Sequence, residues 1–145
     1  MTDLYESAQA SVLNICKNFA TETGGGMAVF KFDAHAETNS WPNNDVIGPA
    51  EFQVEVNVGI LEIETLIGIS TLNDTNIVRL DKLISRLFTK LQPDKMFPFL
   101  DAGNGAPMGM MKVKSPVVVL PVARTETRPV KFIGLSLGTD RAFGA

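Results

Sequence analysis

Residues 51–71 read EFQVEVNVGILEIETLIGIST, and the parity of their apolar positions decides the fold. Phe52, Val54, Val56 and Val58 alternate with Gln53, Glu55 and Asn57, the period of a strand with one buried face. After Gly59 the phase slips by one, so that Leu61, Ile63, Ile67 and Ile69 take the other parity. A one-residue slip at glycine marks a bulge or a turn. At about 3.3 Å per residue, one straight strand over this stretch is too long for a small domain. The segment is expected to be a strongly bent strand or a hairpin.

Downstream, Leu72-Asn73-Asp74-Thr75-Asn76 is a turn with several good helix caps. A helix over 77–92 follows, with Ile77, Leu80, Leu83, Ile84, Leu87, Phe88 and Leu91 on one broad face, and Pro93 stops it. Upstream, residues 35–50 are polar and rich in turn formers around Trp41, which predicts a long loop of functional or disordered character. Residues 27–32 read as a strand, with Ala28, Phe30 and Phe32 on one face. Before it, Asp3 and Glu6 have the spacing of a capping pair. Leu4, Ala8, Val12, Ile15 and Phe19 then form a helical stripe that ends at Gly24-Gly25-Gly26.

Residues 93–112 form a Pro/Gly-rich connector that nevertheless carries Met96, Phe97, Phe99, Leu100, Met108, Met110 and Met111. So much apolar surface on a flexible stretch predicts docking, either on a partner or on the protein's own core. Two closing strands, 117–123 and 130–137, are joined by a hairpin loop over 124–129. Pro116 and Pro121 place the first of them at an edge or beside a bulge. No internal repeat is present. The order of elements predicts a single α+β domain, two helices packed on an antiparallel or mixed β-sheet or sandwich.

One domain of 145 residues buries about two-thirds of its unfolded surface. Hydrophobic content of 45% and charged content of 20% place it among ordinary globular proteins. Its apolar runs fall far short of the ~20 residues that span a bilayer, and its N-terminus shows no signal peptide. The lone Cys16 excludes an internal disulfide and fits synthesis in a reducing compartment. Charge is strongly segregated. Residues 1–74 carry two basic and eleven acidic side chains, and residues 75–145 carry eleven basic and five acidic ones, for a total of −3. Lopsided subunits attract one another head to tail, and a rotation that closes makes a ring. The alternative is that folding interleaves the halves and cancels the asymmetry.

Chemistry-bearing constellations are scarce. One histidine, His35 in the polar loop, and one cysteine do not make a nitrogen–sulfur metal cage, and no Asp-rich loop has calcium spacing. Cys16 lies beside an apolar stripe and reads as a buried, inert thiol. Gly24-Gly25-Gly26 precedes a strand, the reverse of a phosphate loop. No metal and no cofactor is called for. Glu62 and Glu64 share a strand face about 6–7 Å apart, a spacing open to acid–base work but better suited to a solvated or intersubunit surface. Arg79, Lys82, Arg86 and Lys90 form one stripe along the second helix, and Arg124, Arg128 and Lys131 cluster at the last hairpin. Such a stripe fits an acidic partner surface or a nucleic-acid backbone, or is an ordinary solvated face. Aromatic interleaving for base stacking is missing.

The run Gly59-Ile-Leu-Glu-Ile-Glu-Thr-Leu-Ile-Gly-Ile-Ser-Thr passes through a short turn into Val78-Arg-Leu-Asp-Lys-Leu-Ile-Ser-Arg-Leu. Preceded by a helix, a strand and a long loop, it resembles the tail terminator proteins of long-tailed bacteriophages over most of the chain, in element order and length. The resemblance implies a non-enzymatic virion protein, made in the host cytoplasm. A hexameric ring would cap the tail tube and join it to the head-completion or neck protein, with DNA only as passing cargo. It makes Arg79, Lys82, Arg86 and Lys90, opposite Glu55, Glu62 and Glu64 of a neighbour, the expected subunit interface. Trp41, Arg124, Glu126 and Arg128 are the expected tube and neck contacts. The competing readings are another neck component or a tube subunit, a small hydrolase built on Glu62 and Glu64, and a monomeric module for an acidic ligand.

Overall fold

The computed structural model describes residues 4–30, 41–114, 117–124 and 128–139. In chain order the elements are α1 (Leu4–Thr23), β1 (Ala28–Val29), β2 (Val46–Asn57), β3 (Ile60–Ser70), α2 (Val78–Lys90), β4 (Met96–Leu100), β5 (Pro107–Val113), β6 (Val118–Val119), β7 (Ala123–Arg124) and β8 (Pro129–Thr139). A single turn of 3-10 helix, Thr75–Ile77, precedes α2.

The stretch 51–71 is the hairpin of the two alternatives. β2 and β3 pair antiparallel, with Val56 opposite Leu61 and Asn57 opposite Ile60. The two-residue turn between them has Val58 at φ 53° and Gly59 at φ 77°, the doubly positive geometry that matches strand twist. A two-residue turn puts residues of opposite parity on one side of the sheet, which is the origin of the phase slip. Leu61, Ile63, Ile67 and Ile69 are fully buried, whereas Phe52 and Val54 are only half-buried. Val56 and Val58 do not continue that buried face: they are 54% and 91% exposed, because the core ends short of the turn.

Three other expectations are corrected. The loop over 35–50 is too long: Val46–Ala50 already belong to β2, and Val46 and Ile47 are buried. Gly48 and Pro49 disguise this strand, whose register is broken by a bulge between Pro49 and Phe52. The connector over 93–112 is a second hairpin, β4 against β5. Gly103 and Gly105 lie in the turn, where Gly105 takes φ 73° and donates its amide to the Asp101 carbonyl at 2.7 Å. Its one internal proline, Pro98, sits on an edge strand, where a missing donor is tolerated. The apolar residues of that stretch dock on the protein's own core, with Phe99 and Met111 fully buried and Met96 left exposed. The strand expected over 117–123 is two short pieces, β6 and β7, both paired to β8 and separated by Pro121. Of the strand expected over 27–32, Ala28–Val29 pairs parallel with β2; residues 31–32, Asp3 and His35 lie outside the described residues.

Among the described residues the sheet has eight strands in the order β1-β2-β3-β8-β5-β4, with β6 and β7 also on β8. Helix α1 touches both β2 and β4, near opposite margins of that order, so the sheet curls around it. Helix α2 packs on β3 and β8. One core joins Val12, Ile15 and Phe19 of α1 to Leu80, Ile84 and Leu87 of α2 and to the inner side of β3 and β8. The chain is thus an α+β domain, two helices on a mixed, curled sheet. Among the described residues no helix is long and apolar enough to cross a membrane.

Candidate functional site

The base of the β2–β3 hairpin is tied down by charge. Asp74 accepts the Arg79 and Leu80 amides at 2.9 and 2.7 Å and the Thr71 hydroxyl at 2.8 Å, an acidic cap at the start of α2. Asp45 accepts the Leu72 amide at 3.0 Å and takes Arg79 in a bidentate pair, 2.6 Å from Nε and 2.9 Å from Nη2. Arg79 Nη2 also donates to the Leu72 carbonyl. Burial works against both carboxylates, but these donors and the nearby guanidinium charge outweigh it and hold each pKa below its ordinary value.

Arg128 is not the exposed tube contact expected of it. It is 5% exposed, with Nε donating to Ser70 Oγ at 2.8 Å, Nη1 to the Pro42 carbonyl at 2.9 Å and Nη2 to the Asn44 carbonyl at 2.5 Å. Its guanidinium lies 5.6 Å from the centre of the Trp41 ring. Burial lowers its pKa, against the pull of Asp45. The group is a staple that fixes the 41–44 segment to the ends of β3 and β8. Trp41 is correspondingly half-buried, with its ring centre 5.9 Å from that of Phe30. Arg124 is paired through its backbone to Pro129, and Glu126 lies outside the described residues.

Arg79, Lys82 and Arg86 line one side of a cleft of about 620 Å³, floored by Met27 and Leu83 and closed by Asn73 and the 43–45 segment. Arg79 is committed to Asp45. Lys82 and Arg86 are exposed, and among the described residues they form no ion pair. Lys90 leaves the stripe: it pairs with Glu22 at the end of α1.

The acidic residues lie on the other side of the sheet. Glu62 and Glu64 alternate with buried Leu61 and Ile63, so they face away from the helices. Glu55 sits directly opposite Glu62, and Gln53 opposite Glu64. Lys114 reaches Glu62 at 3.0 Å. Its stem runs over Gly138, where a Cβ would stand 2.5 Å from Lys114 Cδ. Glu51, Glu55 and Glu64 have no ion pair among the described residues. The two charged halves are therefore partly interleaved: Arg79–Asp45, Lys90–Glu22 and Lys114–Glu62 each join the acidic half to the basic one. A residue of each sign remains on separate faces, Lys82 and Arg86 in the cleft, and Glu51, Glu55 and Glu64 on the outer sheet.

Among the described residues no group of three His, Cys, Asp or Glu side chains is placed to hold a metal ion. Cys16 is fully buried, and desolvation pushes its thiol up to about 12, which makes it inert at neutral pH. Sequence reasoning missed Asp45 and the exposed Val58. The first has no sequence signal, since its partner is 34 positions away. The second had one: Asn57-Val58-Gly59 offers a two-residue turn, which places Val58 outside the strand.

No family model matches the chain, and no curated protein matches it. A solved protein whose name states no activity is similar over 95% of this chain and 96% of its own, with a TM-score of 0.65 and 7% sequence identity. At that identity the likeness shows the fold alone.

Proposed function

We propose that this chain is a structural subunit that assembles with copies of itself into a closed ring, the terminator that caps a phage tail tube and joins it to the neck. The observation that carries this reading is the pair of unlike surfaces left over after internal ion pairing, cations in the α2 cleft and glutamates on the outer sheet. Heterologous association needs two different complementary patches on each subunit, and ring closure follows if the rotation between neighbours closes. The element order shared with tail terminators supplies the biological setting, with tube protein and neck protein as the further partners and DNA as cargo in the lumen.

Negative-stain images of the purified full chain test it. Isolated rings of one diameter support the terminator. Long open tubes would transfer the chain to the tube subunits. A chain that stays monomeric at high concentration by sedimentation would instead be a module whose basic cleft takes an acidic ligand. Reversing Lys82 and Arg86 together to Glu weakens ring assembly and leaves the melting temperature of the subunit nearly unchanged, because both side chains are exposed and form no ion pair among the described residues.

A further inference from the structure

The turn of the β2–β3 hairpin concentrates three local costs that nothing among the described residues offsets. Val58 holds φ 53°, a region in which a β-branched residue is an outlier. Its side chain is 91% exposed and Val56 beside it 54%, so neither adds to the core. Just behind the turn Glu55 stands directly across from Glu62, a like-charged pair that destabilises a sheet. Among the described residues Glu62 has a counter-ion in Lys114 and Glu55 has none.

The opposite end of the same hairpin offers the complement. Beyond Ser70 the chain runs into Leu72 and Asn73, which with Met27, Leu83, Lys82 and Arg86 line the 620 Å³ cleft. Its lining joins apolar Met27, Leu72 and Leu83 to the cations Lys82 and Arg86, with Asp45 held by Arg79, as the turn is apolar at its end and anionic at its flank. The two features are separated by the 11 residues of β3, roughly 35 Å of strand. A subunit therefore cannot satisfy its own turn, whereas a neighbour can.

We infer that the β2–β3 turn of one copy inserts into the α2 cleft of the next, with Val58 against Met27 and Leu83 and Glu55 against Lys82 and Arg86. This rests on the self-assembling reading above and names the contact it uses. Because donor and acceptor occupy opposite ends of one rigid hairpin, each contact leaves a free turn at one end of the growing assembly and a free cleft at the other. The arrangement is heterologous, and it ends only by closure.

Full-length variants test the contact. Val58→Gly removes the side chain and suits the positive φ, so the subunit folds at least as well as the parent while self-association measured by sedimentation velocity weakens about tenfold or more. Lys82→Glu with Arg86→Glu weakens association, and adding Glu55→Lys restores it in part. Val58→Cys mixed with Lys82→Cys under a mild oxidant gives an intermolecular disulfide, with buried Cys16 silent. If the wild type forms rings but Val58→Gly assembles equally well and no cross-link forms, the contact is overturned while the ring stands. If the wild type does not associate at any concentration and the cysteine variants do not cross-link, the ring reading falls, and the contact falls with it.

Discussion

The two ends of the β2–β3 hairpin are built on opposite rules. At the base three charged groups are satisfied within the subunit: Asp74 caps α2, Asp45 grips Arg79, and Arg128 binds the carbonyls of Pro42 and Asn44. At the turn, apolar side chains face outward and Glu55 has no counter-ion among the described residues. Those three groups hold the monomer together, and the turn does not. The contrast separates residues that hold the fold from residues left over for contact, and the distinction can be attacked by mutation.

The largest effect is expected at the base. Arg128→Ala removes the buried guanidinium that donates to Ser70 Oγ and to the Pro42, Asn44 and Ser70 carbonyls, and it should cost about 3 kcal/mol. For a chain of this size that is about 10 °C in melting temperature, read by calorimetry; a loss below a few degrees would mean that water replaces the guanidinium. Asp74→Ala removes the cap on two α2 amides and should cost about 1–2 kcal/mol, read from the urea midpoint. Acid acts on the same end. The Asp45 and Asp74 carboxyls titrate below their ordinary value of 3.8 in the folded chain. The stability they contribute is therefore present above that value and lost as pH falls from it through the lower pKa of the folded chain. Melting temperature should drop as pH falls below about 5, and Asp74→Asn should flatten that limb. At the turn the sign reverses: Val58→Gly relieves backbone strain and should raise subunit stability by about 1 kcal/mol or less. A turn that loses stability on that change would be packed in some way the exposure of Val58 does not show.

Helix α2 and the hairpin were legible in the sequence because each rests on a local period. Leu80, Leu83, Ile84 and Leu87 recur within one helix and are all buried, and the parity change at Gly59 marks the reversal. The β4–β5 hairpin was hidden because Pro98, Gly103, Gly105 and Gly109 speak for a loop, while the burial of Phe99 and Met111 is a tertiary fact. Start of β2 was hidden in the same way by Gly48-Pro49 and its bulge. For the site, the helical stripe predicted which cations share a face, but not which of them folding consumes. Arg79 meets Asp45 across 34 positions and Arg128 meets Pro42 across 86, distances that no window on the sequence spans.

Helix α1 is closed off from far along the chain. Its buried Ser11 hydroxyl accepts the Leu100 amide and its Ser7 hydroxyl accepts the Ala102 amide, partners 89 and 95 residues downstream. Synthesis of α1 therefore precedes that of the fourth strand, which covers part of its apolar stripe. During that interval the stripe is open to chaperones and to other nascent chains. Non-local closure of this kind slows folding, and with emergence at about 5–20 residues per second, the delay lasts several seconds for each new subunit.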